Sequence, residues 1–130
     1  MSDILGDMSL RHSIPKSFLY ALQGLKRALT EEPNFRVHVV LGTFACIFAL
    51  VLGFSALEWL ILVVTIFFVL VLELINTSLE NIVDLVSPEI QGEAKVAKDV
   101  SASAVFLSAI FSILVGLALF LPKIMALFKK

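Results

Sequence analysis

Two stretches of the chain run without a charged side chain for long enough to cross a bilayer. Residues 39–57 offer 19 such positions and residues 100–122 offer 23. A spanning helix needs about 20. Between them, residues 59–72 add 14 more uncharged positions. Fourteen helical residues rise about 21 Å, short of a hydrocarbon core of about 30 Å. To span, this segment must take in the stretch that follows, E-L-I-N-T-S-L-E-N-I-V-D at 73–84. Leu74, Ile75, Leu79, Ile82 and Val83 supply its apolar surface. The pattern predicts an all-α membrane protein with three transmembrane helices, at about 36–54, 57–86 and 96–121.

Before the first span the periodicity changes. Phe18, Leu22, Leu25 and Leu29 recur at spacings of three and four, while Lys16, Gln23, Lys26 and Arg27 occupy other faces. This predicts an amphipathic helix over 14–30 lying on the membrane surface. Pro15 suits its first turn. Pro33 forces Glu32 out of helical geometry and so separates this helix from the first span. Residues 1–13 are mixed and polar and read as a loose segment. Gly53-Phe54-Ser55 ends the first span, Trp59 fits an interfacial belt, and Ser87-Pro88 ends the second span. Residues 14–122 form one membrane domain, and 123–130 read as a basic tail.

Composition agrees with this layout. The 130 residues are 59% hydrophobic with a mean hydropathy of +1.00, more apolar surface than a soluble domain of this size can bury. The net charge of −1 excludes an electrostatic nucleic-acid partner. The single Cys46 permits no disulfide within the chain. No early apolar core follows a basic start, so the amino end reads as retained. Arg11, Lys16, Lys26, Arg27 and Arg36 precede the first span, and Lys95 and Lys98 lie between the second and third. Only Lys123, Lys129 and Lys130 fall on the opposite side. The bias predicts a cytoplasmic amino end in the inner membrane. Three helices make a thin bundle, which points to a homo-oligomer.

Charge at bilayer depth is the anomaly. Glu73 falls inside the hydrocarbon and Glu80 near its edge, where insertion of a carboxylate costs about 2.5–3.5 kcal/mol at the centre and less toward the interface. At about 100° per residue, Glu73, Glu80 and Asp84 share an arc of roughly 40°, flanked by Asn76 and Thr77. This stripe must face protein rather than lipid. Glu31, Glu32, Glu89 and Asp99, with the bases Arg36, Lys95 and Lys98, are the available partners. Glu32 and Glu80 at the inner interface suit a hard divalent cation, since magnesium takes one or two carboxylates plus substrate phosphates. Lys98 is placed to meet a phosphate. The deeper, desolvated Glu73 suits a general base. That inventory fits phosphoryl transfer from a nucleotide to a hydroxyl at the lipid interface. No G-x-x-x-x-G-K-[ST], H-R-D or D-F-G motif is present. From spacing alone an oligomeric proton or ion pathway lined by the same acids, or a structural subunit, stays open.

The order of residues adds more. E-L-I-N-T-S-L-E-N-I-V-D, then A-K-D-V-S-A-S-A-V, with E-E-P-N-F-R-V-H upstream, resembles the prokaryotic diacylglycerol kinase family, which includes the undecaprenol kinases. The likeness runs from about Lys16 to Pro122. It implies a small membrane kinase of three spans and a surface helix, assembled as a homotrimer and using ATP and Mg2+ on a lipid alcohol. By this resemblance Glu73 matches the catalytic base, and Glu32 and Glu80 match metal-binding acids. Asn76, Asp84, Lys98 and Asp99 match polar residues of the site. Tyr20 and Glu89 match positions near the nucleotide. Arg36 matches a base beside the lipid entrance, and Glu73 and His38 lie on that lipid side.

Departures from the family pattern are local. Pro88-Glu89-Ile90-Gln91 stands where members often read P-E-Y-H, so aromatic and imidazole contacts are not carried over there. Ser13 stands where some members place an arginine, and that role is not carried over either. Val37-His38 after F-R resembles the undecaprenol kinase branch, where the diacylglycerol kinase branch tends to have an acid at the second position. The same headgroup chemistry serves both acceptors, so the sequence leaves diacylglycerol and undecaprenol open.

Overall fold

The computed structural model describes residues 14–89 and 91–129. The loose segment expected at 1–13, with Ser13, and Ile90 of the following loop lie outside the described residues. Four α-helices and no strand occur among those described: α1 (Ile14–Glu31), α2 (Pro33–Val51), α3 (Ala56–Val86) and α4 (Glu93–Leu127). The last three are long and apolar enough to cross a membrane. At 1.5 Å per residue α2 is about 28 Å long, while α3 and α4 reach about 46 and 52 Å. The latter two therefore project beyond a hydrocarbon core of about 30 Å.

The α1–α2 corner is a single residue. Glu32 sits between the helices in an extended conformation, with Pro33 opening α2. The first span thus starts at Pro33 rather than near 36, because proline needs no amide partner at a first helical position. Arg36 closes the corner from below. Its guanidinium donates to the carbonyls of Thr30 at 2.8 Å and Leu29 at 3.4 Å, the last turn of α1. Terminal carbonyls have no intrahelical donor, and a cation there also suits the helix dipole. Only Ala28 of α1 is buried.

The α2–α3 hairpin turns at Gly53, whose φ of +65° favours glycine. Ser55 caps α3 with a capping box. The Glu58 amide donates to Ser55 Oγ at 3.3 Å, and the Ser55 amide donates to Glu58 Oε2 at 2.6 Å. Lys123 reaches across from α4 to pair with Glu58 Oε2 at 3.0 Å, and lies 5.8 Å from the Phe54 ring centre. Helix α4 continues through Pro122 to Leu127, so Lys123 belongs to a helix rather than to the expected tail. Around this latch sits the core. Ala49, Phe54, Leu62 and Leu119 are buried there, with Trp59 and Phe120 packed against them. The rings of Phe54 and Phe120 lie 4.8 Å apart.

One contact sets the depth of everything else. A Cβ on Gly42 would stand 3.0 Å from Ile66 Cγ2. Helices α2 and α3 therefore approach closely at that level, and a side chain there would have to displace Ile66. Hydroxyls in the spans are satisfied locally: Thr65 donates to Ile61 O at 2.8 Å and Ser108 to Val105 O at 2.7 Å.

Gly42→Leu is expected to destabilise the protein by about 1–3 kcal/mol through overpacking, read as a lower unfolding midpoint in detergent micelles. Arg36→Ala is expected to loosen α1 without unfolding the spans, read as faster tryptic cleavage after Lys26 at an unchanged midpoint.

Candidate functional site

The inner half of α3 is long, and its polar residues turn inward. Counting about 20 residues from Ala56 places the end of the hydrocarbon near Ile75. Glu73 is then within the apolar layer and is 3% exposed; Asn76, one turn on, is 8% exposed. Glu80 is half-buried and Asp84 is exposed. The Asn76 amide nitrogen donates to Glu80 Oε1 at 3.0 Å. Its oxygen, Oδ1, is buried without a hydrogen-bond partner. Such an orphaned acceptor beside two carboxylates is costly unless a ligand supplies a donor or a cation.

Charges from three directions reach Glu73. His38 on α2, Glu80 on α3 and Glu32 at the α1–α2 corner all act on it, none through a hydrogen bond. The structure thus draws Glu32, His38, Glu73, Asn76 and Glu80 into one region. A second group lies beyond it. Lys98 on α4 pairs with Asp84 at 2.8 Å, and its charge also acts on Glu80. Asp99 pairs with Lys95 at 2.8 Å on the exposed side of α4. Tyr20 is half exposed on α1, and Glu89 is exposed in the turn after α3.

Between α1 and α3 opens a groove of about 340 Å³. Glu32 forms its inner corner. Thr77, Ser78 and Asn81 line it from α3, and Gly24 and Arg27 from α1. The sequence reading did not single out Ser78, Asn81 or Gly24. The signal was present: Ser78 and Asn81 widen the polar stripe of α3 toward the side that α1 covers. Gly24 has no atom within 4 Å of where its Cβ would stand, so it leaves open space over the groove. Arg27 pairs with Glu31 at 2.8 Å, and that hydrogen bond and charge push its guanidinium above the usual arginine range.

The donor set fits a hard divalent cation. Glu32, Glu80 and the orphaned Asn76 Oδ1 are all oxygen ligands. Among the described residues no group of three His, Cys, Asp or Glu forms a ready-made cage. Magnesium needs none, since it binds through one or two carboxylates and the phosphates of its substrate.

Comparison with known proteins agrees with this geometry. A family model described as prokaryotic diacylglycerol kinase matches residues 19–120. A diacylglycerol kinase from Synechocystis is 40% identical over 112 residues, covering 85% of this chain and 64% of that protein. The match therefore spans just under two-thirds of that relative's own length. An undecaprenol kinase from Bacillus subtilis is 37% identical over 109 residues, covering 84% of this chain and 89% of its own. A diacylglycerol kinase from Helicobacter pylori is 41% identical over 96 residues, covering 74% and 75%. The three spans, the polar face of α3 and these matches together place the chain in the prokaryotic diacylglycerol kinase family.

Proposed function

We propose that this protein is a membrane lipid kinase. It transfers the γ-phosphoryl group of ATP to the hydroxyl of diacylglycerol or undecaprenol at the cytoplasmic face of the inner membrane. The observation that carries this reading is Glu73, a carboxylate 3% exposed at the depth where a lipid headgroup meets hydrocarbon. It receives no hydrogen bond from the described residues. A buried acid with no partner is costly as structure and useful as a base for a hydroxyl that arrives sideways through the bilayer.

The roles follow from position. The nucleotide lies along the α1–α3 groove, where Gly24 leaves space and Thr77, Ser78 and Asn81 offer hydrogen bonds. Tyr20 on α1 and Glu89 in the turn after α3 do not line this groove and keep the place near the nucleotide that the family resemblance implies. Glu32 and Glu80 would hold magnesium, with Asn76 fixing the Glu80 carboxylate through its amide. When bound, magnesium neutralises charge on the phosphates in flight. Asp84 aims Lys98 from α4, and the Lys95–Asp99 pair steadies the start of that helix. Glu73 takes the hydroxyl proton from the lipid. The alcohol oxygen then bonds to the γ-phosphorus as the bond to the bridging oxygen breaks, and ADP leaves with that electron pair. Arg36 holds the corner beside the lipid entrance, and His38 stands on that side of Glu73.

Two further features belong to this reading. Of the bases on the opposite side of the membrane, Lys123 is paired with Glu58, which supports a cytoplasmic amino end. The spans bury few side chains within one chain, which supports packing of copies as a homotrimer.

Phosphate transfer from γ-labelled ATP in mixed micelles tests the proposal, with diacylglycerol and undecaprenol offered separately. Wild type is expected to label one or both lipids. Glu73→Gln is expected to lose about a hundred- to ten-thousandfold in kcat. No transfer to either lipid by folded protein with magnesium, or full turnover in the variant, overturns the reading. Gly24→Leu is expected to fill the groove and raise the KM for ATP several-fold at an unchanged KM for lipid.

A further inference from the structure

His38 makes no hydrogen bond in this structure, and the register of the hairpin sets it close to the level of Glu73 on the next helix. Gly42 and Ile66 mark one level of the α2–α3 pair. The two helices run in opposite directions, joined by the short turn at Gly53. His38 lies four residues toward the start of α2, about 6 Å from that level, and Glu73 lies seven residues along α3, about 10.5 Å in the same direction. The two backbones differ in depth by about 4.5 Å, three residues of rise. Helical side chains lean toward the amino end of their own helix. In an antiparallel pair the leanings are opposed, so His38 and Glu73 incline toward each other and close that gap. Both stand on the facing surfaces. Phe35 and Gly42, three residues before and four after His38, are buried, as are Val69, Glu73 and Asn76 on α3. His38 is also the one base among the charged groups acting on Glu73; the others are Glu80 and Glu32.

From this geometry we infer that His38 is a positioning residue for the proposed reaction: the two side chains are not hydrogen-bonded in this structure, and as the lipid hydroxyl engages Glu73 the imidazole N–H closes onto the carboxylate and turns one oxygen toward that hydroxyl. The inference rests on Glu73 as the base. An unanchored carboxylate in an apolar layer samples several rotamers, and a general base works only within hydrogen-bond reach of the proton it takes. Phe35, level with Glu73 and 1% exposed, offers no hydrogen bond. Asn76 spends its donor on Glu80. Arg36 is occupied by the carbonyls of α1. Asn34 is exposed, so the half-buried imidazole is the α2 donor on the face turned toward α3.

The test compares wild type, His38→Leu and His38→Gln in the lipid-phosphorylation assay, with Glu73→Gln alongside. His38→Leu is expected to lower kcat about ten- to a hundredfold, the scale of a misplaced reacting group, with little change in either KM. His38→Gln keeps an N–H donor and is expected to recover most of that loss. A second readout is independent of turnover: the ¹³C shift of the labelled Glu73 carboxyl should move in His38→Leu and return toward wild type in His38→Gln. Normal kcat in His38→Leu, a loss that glutamine fails to restore, or an unmoved carboxyl signal overturns the inference. Full turnover by Glu73→Gln, or no transfer by wild type, overturns the kinase reading instead, so the two failures are distinct.

Discussion

The contact between Gly42 and Ile66 sets the register on which the rest of the molecule depends. A membrane offers no hydrophobic force between helices, because lipid is as apolar as leucine. Close packing at small residues must do the work of holding one helix against the next. At Gly42 the backbone of α2 comes so close to Ile66 that a methyl group would have to push that side chain aside. With a hairpin of only a few residues at Gly53, that contact leaves no freedom to slide. The depth of Glu73, the level of His38 and the place of Glu32 at the corner then follow by counting residues along two antiparallel helices.

The two ends of the bundle are built differently. At the hairpin end every feature closes the structure: the capping box of Ser55 and Glu58, the Lys123 pair and the tilted ring contact of Phe54 and Phe120. The buried apolar cluster is there as well. At the other end the polar Glu73 and Asn76 are buried beside Phe35 and Ala28, a groove stands open under α1, and an amide oxygen has no partner. Stability gathered at one end lets the other keep unsatisfied groups. An open polar end would be a poor place for a structural subunit to spend its charges, and a good place to receive a charged substrate beside lipid.

Much of this was legible in the sequence because lipid imposes simple rules. Uncharged runs gave the spans, and the 100° spacing placed Glu73, Glu80 and Asp84 on one face. What stayed hidden depended on contacts between helices. Nothing in a uniformly apolar α2 distinguishes Gly42 from its neighbours, since periodicity vanishes when every face is greasy. Arg36 was expected beside the lipid entrance by resemblance, and the structure adds that its guanidinium donates to the last carbonyls of α1. That use needs the one-residue corner, which no pattern announces. Ser78 and Asn81 escaped notice because their face is polar only relative to α1, whose position over α3 is a tertiary fact.

The fate of the bases carries the chemistry one step further. Arg27 is paired with Glu31, Arg36 with the carbonyls of α1, Lys95 with Asp99 and Lys98 with Asp84. Each lies near the inner end, and each already has an oxygen. A nucleotide triphosphate brought to the groove would meet Glu32 and Glu80 first, and like charges in a partly desolvated site repel strongly. These four bases would have to give up those oxygens to hold it there. A divalent cation between those two carboxylates and the phosphates reverses the sign of the encounter, turning the acids from a barrier into the binding site. In the proposed reaction a metal would therefore serve nucleotide binding as well as the transfer, and the acids that look misplaced in a membrane would be what brings the two together.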